Sequence, residues 1–389
     1  MSTRLTTLAQ LRGIHNRLRA LVLPLDETEI RQQFHPELSP IGWHLGHCCF
    51  IENYWLREGV QGDDSKTGHL HDLYFPEQSP KVERGGRLPG KDILLEQTLA
   101  DHEQNLLLLS GMAEPLQENR LLENDYLPFF LIQHHAQHYE TMLMVLTQRA
   151  YTRHRQDYYP QQRLVGIAPI EDYVSLPECT YPVGGSLPLA FDNELPAFSP
   201  ELSPYAIRRT PVSNAEYLRF METGAYQDPA LWSETGWAWL EKHPVSCPEH
   251  WRQDARGWWY GLSEDGPYEL PPLEPVYGIN HFEAEAFARF AGARLPHEHE
   301  WEAAQQLHSL QQSGMVWEWC ENLFTPYQDY ISFPYDRYSK AWFDDHHYVL
   351  KGGSRYTRPI IKRPSFRNFY NPDKRHIFAG CRLARSETS

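Results

Sequence analysis

Gln133-His134-His135-Ala136-Gln137-His138-Tyr139-Glu140 lies inside a longer run, Leu121 to Tyr151, in which apolar residues recur at intervals of three and four. That period predicts a helix, and residues four apart on a helix share a face, so His134 and His138 can present two imidazoles to one ion. Three more stretches carry the same period, Leu5 to Leu23, Pro40 to Glu58 and Lys91 to Ser110, separated by loops rich in Gly, Pro, Asp and Ser. Together they predict an all-α four-helix bundle. The second helix has Ser39 as its expected N-cap and Pro40 in the first helical position, where a missing N–H costs nothing. It carries Trp43-His44-Leu45-Gly46-His47, and Ile41, Cys48, Ile51 and Trp55 mark its inward positions, so a histidine there points into an apolar interior.

A third imidazole is thus available, and metal sites in bundle cores are built from side chains on facing helices. Periodicity leaves His44 and His135 open as alternatives, and imidazole suits iron, zinc, copper and nickel alike. Glu140 could complete such a site or orient a ligand by a hydrogen bond. The ordinary alternative, in a chain with 20 histidines, is imidazoles that line helices and bind nothing. Two inward clusters on separate helices weigh against it, because a buried imidazole without partner or ligand is costly.

Outward from the bundle, the texture changes after Tyr151: Arg153 to Pro182 is polar, tyrosine-rich and interrupted by Pro160, Pro169 and Pro177. The expected organisation is a bundle over residues 1–155, a linker over 156–182 and a second domain over 183–389. That second domain reads as α+β with long loops. It offers strand-like runs at Tyr348 to Leu350 and Phe378 to Leu383, and two helices, Asn214 to Thr223 and Phe282 to Gly292. A length of 389 residues suits two cores, and 41% hydrophobic residues with 12 Trp, 22 Tyr and 17 Phe can fill them. A folded, cytoplasmic chain is expected: no apolar run approaches a membrane span, no signal peptide is visible, and the six cysteines lack C-x-x-C spacing. A formal charge of −15 without a Lys/Arg cluster argues against nucleic acid and anionic membranes as partners, and points to small-molecule substrates.

The bundle resembles the DinB-like domain of the ergothioneine-type sulfoxide synthases, through Trp43 to His47 and His134 to Glu140. The second half resembles the same family's formylglycine-generating-enzyme-like domain, an elaborated C-type-lectin-like fold. Its signatures are Phe191-Asp192-Asn193-Glu194, Pro211 to Tyr217, Leu231 to Trp239, Ala291 to Pro296, Val316-Trp317-Glu318-Trp319, Leu350 to Ser354 and Arg367-Asn368-Phe369. They follow one another in the family's order over nearly the whole chain.

The resemblance implies Fe(II) held by His47, His134 and His138, and an O2-dependent reaction that forms a carbon–sulfur bond between a thiol and the imidazole of a histidine betaine, hercynine or a relative, giving a sulfoxide. Three neutral imidazoles leave three iron positions for thiolate, imidazole and oxygen. By the same resemblance Gln137 lies near the imidazole substrate, and a tyrosine from the loop Phe324 to Tyr338 donates a proton or hydrogen atom. Tyr327 and Tyr330 are the favoured candidates over Tyr335 and Tyr338. Arg84 and Arg87 match loop arginines that bind substrate carboxylates, a task suited to a planar guanidinium. Asn368 matches a residue that meets the trimethylammonium group; Phe369 stands where the family has Trp, which weakens the cation–π face, and Tyr370 stands where glutamylcysteine-using members have Asp. These two departures leave room for a selenoneine-type synthase that takes a selenosugar. A DinB-like thiol transferase needs only the bundle. Formylglycine generation uses a copper-binding cysteine pair, and Arg355 to Asn368 contains no cysteine. A non-catalytic reading has the second domain as a binding module and the histidines as a structural metal site, for which three ligands are one short.

Overall fold

The computed structural model describes residues 2–111, 119–154 and 158–387, so the expected boundary between residues 155 and 156 lies outside the described residues. The chain forms two compact units: one runs to Arg153 and takes in Leu187–Leu189, the other comprises His154–Ser186 and Ala190 onward.

The first unit contains α1 (Ser2–Val22), α2 (Glu27–Arg31), α3 (Ile41–Asn53), α4 (His71–Tyr74), α5 (Lys81–Arg87), α6 (Lys91–Gly111) and α7 (Tyr126–Arg153). The four longest form the bundle, α1 packing on α6 and α7, and α3 packing on the same two. Leu11, Leu18, Leu45, Leu127, Leu131 and Met142 are fully buried between them. Each such side chain stabilises the fold by roughly 1.5–3 kcal/mol relative to exposure.

Three sequence expectations are corrected. Ser39 does not cap α3: the cap position is Pro40, and the Ser39 hydroxyl instead accepts a 2.5 Å hydrogen bond from the buried Arg84 guanidinium, whose need for acceptors is the greater. The α-helix ends at Asn53 rather than Glu58, and Tyr54–Gly59 continues it as a π-helical turn. The last helix starts at Tyr126 rather than Leu121, because Asn124 and Asp125 take left-handed backbone angles, φ 51° and 60°, that no α-helix can include. Every residue of α3 is buried, as expected of a helix covered on all sides rather than on one stripe.

The second unit is α+β. β1 (Tyr173–Leu176), β4 (Tyr205–Arg208) and β12 (Ala384–Ser386) form an antiparallel sheet in the order β1-β4-β12; β2 (Cys179–Thr180) and β3 (Glu201–Leu202) pair separately. After α8 (Asn214–Glu222) and α9 (Glu234–Lys242), β5 (Trp251–Gln253), β6 (Trp259–Ser263) and β7 (Gly266–Tyr268) make a meander. α10 (His281–Phe290) and α11 (Glu298–Gln306) precede a mixed sheet in the order β10-β9-β8-β11, built from β8 (Trp317–Leu323), β9 (Tyr348–Lys351), β10 (Asn368–Tyr370) and β11 (Ala379–Cys381). Two helices beyond the expected pair are therefore present, α9 and α11. Buried ion pairs tie this unit together: Arg367 grips Glu298 with bonds of 2.7 and 2.8 Å, Arg382 grips Glu318, and Lys351 meets Glu302. Removing one partner from such a pair costs about 3–5 kcal/mol, since the other charge stays buried. No helix among the described residues is long and apolar enough to cross a membrane.

Candidate metal centre

His47, on α3, and His134 and His138, on α7, bring one ring nitrogen each to within 4.8 Å of the others. His47 Nε2 and His134 Nε2 lie 3.3 Å apart. Two imidazoles bound to one first-row ion at about 2.1 Å, with about a right angle or slightly more between them, place their nitrogens at that separation. His47 and His134 are buried, and desolvation pushes all three ring pKa values well below the ordinary histidine range, so the rings are neutral and their lone pairs available. The donor set fits a divalent transition ion with open positions.

Each ring's second nitrogen has an assigned neighbour. His47 Nδ1 donates to the Tyr74 carbonyl at 2.7 Å, since a carbonyl can only accept, and this leaves Nε2 as its lone-pair nitrogen. His134 Nδ1 lies 3.3 Å from His135 Nδ1, and His138 Nδ1 lies 2.9 Å from His44 Nδ1. The two histidines that periodicity could not separate from the three are thus the neighbours of His134 and His138.

The Trp43 to His47 pentad accounts for itself residue by residue. Trp43 Nε1 donates to the Leu73 carbonyl at 2.8 Å, and its ring stacks on His47, centroids 4.6 Å apart and planes 12° apart. His44 backs His138, and Leu45 is fully buried. At Gly46 a Cβ would stand 2.2 Å from the Tyr74 hydroxyl, so glycine makes the room in which the Tyr74 ring packs against α3.

Beside the three histidines lies a second buried group, His15, Glu52, His102 and His135, one from each bundle helix. Glu52 Oε2 is 2.7 Å from His15 Nε2 and 3.1 Å from His135 Nε2, while His15 and His102 stack with centroids 3.8 Å apart and planes 5° apart. Cys48 also lies near His134 and His135, but burial pushes its thiol well above the usual range and keeps it protonated. Glu140 is buried in α7 and is not among the residues whose donor atoms converge here.

The other expected site residues fall into two sets. In the first unit Arg84 sits on α5 rather than in a loop. It is buried, donates to Ser79 O, Ser39 Oγ and Pro76 O, and lies 3.9 Å from the centroid of the Trp43 ring. Burial lowers its pKa to about 10. Arg87, at the end of α5, pairs with Asp72 at 2.6 Å. Gln137 adjoins His138 on α7 and is partly buried. In the second unit Asn368, Phe369 and Tyr370 form β10, paired with Leu350, Val349 and Tyr348 of β9. Phe369 stacks on Phe324 with centroids 4.2 Å apart. Tyr330 donates to Asp192 at 2.7 Å, whereas the buried Tyr327 hydroxyl has no hydrogen-bond partner among the described residues.

Sequence reasoning missed His15, Glu52, His102 and Tyr74. The available signal was weak: a single polar residue at a core position of each of three apolar stripes, and a backbone carbonyl that carries no sequence signature at all.

A histidine-bearing helical bundle joined to an α+β unit defines a recognisable class, and residues 10–142 match the DinB superfamily while residues 161–312 and 305–387 match the sulfatase-modifying factor enzyme 1-like domain. The chain is 32% identical across an alignment 446 positions long, gaps included, to the hercynine oxygenase of Mycolicibacterium thermoresistibile, covering 96% of this chain and 93% of that one. It is 30% identical across an alignment of 433 positions to the hercynine oxygenase of Mycobacterium tuberculosis, covering 95% and 96%. The formylglycine-generating enzyme of Thermomonospora curvata is 33% identical over 159 residues, 37% of this chain and 51% of that enzyme. The chain belongs to the hercynine oxygenase family of oxygen-dependent enzymes.

Proposed function

We propose that this chain is an iron(II)-dependent sulfoxide synthase that joins the sulfur of a thiol to the imidazole ring of hercynine or a related histidine derivative, with His47, His134 and His138 as the iron ligands. The observation that carries the reading is the convergence of three neutral imidazoles, two of them buried and one partly so, in a chain that aligns with hercynine oxygenases over 93–96% of its length. Iron(II) held there would supply binding and activation of dioxygen. The protein's part is to hold three positions with imidazoles and leave the rest to substrates.

Recognition of those substrates falls to Gln137, Asn368, Phe369 and Tyr370, with Arg87 better placed than Arg84 for a carboxylate. Arg84 already spends its guanidinium on three oxygen acceptors, whereas Arg87 makes an exposed pair with Asp72 that a substrate can exchange. Tyr327 is the proposed proton donor. Its hydroxyl has no hydrogen-bond partner among the described residues and is kept protonated by burial, while that of Tyr330 is committed to Asp192.

The test is to load the protein with iron(II) under anaerobic conditions and add hercynine or histidine with cysteine, glutamylcysteine or a selenosugar. Oxygen is then admitted and products are identified by mass spectrometry. A sulfoxide with one of the thiols is the expected product, and a selenium adduct alone would move the chain to the selenoneine-type reading. Absence of oxygen consumption with every pair would overturn the proposal.

A further inference from the structure

The buried group around Glu52 has the composition of a metal site, and proton bookkeeping decides whether it is one. A neutral imidazole carries one proton, on either Nδ1 or Nε2. Burial pushes the Glu52 carboxyl up, but attraction to His15 and hydrogen bonds from His135 and His15 outweigh it, so the group is an ionised acceptor. His135 Nε2, 3.1 Å from that carboxylate, therefore bears the proton, and its Nδ1 is a bare lone pair. The facing nitrogen, 3.3 Å away, is His134 Nδ1, which must then be the protonated one. His134 is left with a bare Nε2, the nitrogen that lies 3.3 Å from His47 Nε2.

A second ion on His135 Nε2 would reverse every step. The proton of His135 would move to Nδ1, that of His134 to Nε2, and His134 would lose the lone pair it turns toward His47. The parallel stack of His15 and His102 also sets their ring-plane lone pairs in parallel planes rather than toward one point.

We propose that Glu52, acting through His135, is a positioning residue that locks His134 in the Nδ1-protonated tautomer and so keeps its Nε2 available to the metal. This rests on the ligand set proposed above. The chain Glu52, His135, His134 is a carboxylate–imidazole–imidazole relay in which the carboxylate only accepts and each imidazole has one acceptable proton position.

The test uses the full chain. In zinc-loaded wild-type protein labelled with 15N-histidine, NMR should find His135 protonated at Nε2 and metal-free, and His134 protonated at Nδ1. The opposite His135 tautomer, or a second bound zinc dependent on Glu52, would overturn the proposal. In parallel, iron(II) affinity is measured by chelator competition and folding by circular dichroism. Glu52→Gln and His135→Leu should each weaken iron(II) binding by roughly 10–100-fold, the usual effect of losing an outer-shell partner, and the double variant should be no worse than either. His135→Gln, which can still accept from His134 Nδ1, should recover part of the loss. Folded His135→Leu that binds iron(II) as tightly as wild type would sink the relay. Retention of metal by His134→Ala would instead sink the ligand assignment beneath it.

Discussion

His44 and His47 stand three residues apart on one buried helix, and only their hydrogen-bond partners distinguish them. His47 is tied through Nδ1 to a backbone carbonyl and turns Nε2 to His134; His44 is spent on His138. His47→Ala should therefore abolish stoichiometric iron binding, whereas His44→Ala should retain one iron per chain with affinity reduced by roughly 10–100-fold. Metal analysis after gel filtration separates the two outcomes. The same logic applies to the loop tyrosines. Tyr327→Phe should lower turnover by a factor of roughly 10² or more if it donates the proton, while leaving iron binding intact. Tyr330→Phe, which removes the bond to Asp192, should cost much less in single-turnover measurements.

Elements carry the next level of control. The short helix α4 is locked to α3 by Trp43 Nε1 on Leu73 O, by His47 Nδ1 on Tyr74 O, and by the close approach at Gly46. Gly46→Ala should destabilise the protein by about 1–3 kcal/mol, the usual cost of forcing extra volume into a packed core, and should weaken iron binding along with it. Gly13→Ala, at a position on α1 where a new Cβ meets nothing within 4 Å, should instead leave stability unchanged or raise it by up to about 1 kcal/mol. Thermal melts of the two variants test the contrast.

At this scale the sequence was readable where the apolar period is strong. The four long helices, α8 and α10 were legible from that signal. α4 and α5 are too short to show a period. α11 was missed because its cap is His297, a residue type outside the usual Ser, Thr, Asp and Asn signal. The three-histidine group was legible as a pattern but not as a choice, because His44 and His135 are as inward as the rest. What separates them is which atoms neighbour their second nitrogens, and that exists only after α4, α3 and α7 have packed.

The molecule as a whole should respond to acid through groups buried in one charge state. His281 is buried, donates Nε2–H to the Cys320 carbonyl, and is pushed by desolvation down to about 3. The unfolded chain takes up a proton at this residue below about pH 6.5 and the folded one does not, so its contribution falls by roughly 1.4 kcal/mol per pH unit between about 6.5 and 3. Glu298 acts at lower pH. Burial raises its pKa, but the Arg367 charge and hydrogen bonds outweigh that and hold it at about 2, so stability present above about 4.5 is lost as pH falls toward 2. The expected melting temperature declines in two stages on acidification, and His281→Gln should make the first shallower, the other buried histidines keeping their share. An unchanged slope in that variant would show that other groups govern the upper range.

The Glu52 cluster has a consequence for how the bundle assembles. Its members come singly from α1, α3, α6 and α7, so no pair of neighbouring helices can satisfy the carboxylate and both of its histidines. An intermediate lacking α1 or α7, or docking either a turn out of step, takes a hydrogen-bond partner from an anion in hydrocarbon, and compact misassembled forms carry that cost in full. The carboxylate thereby acts as a key with three wards, admitting one arrangement of α1, α3 and α7 and penalising those that merely bury enough leucine.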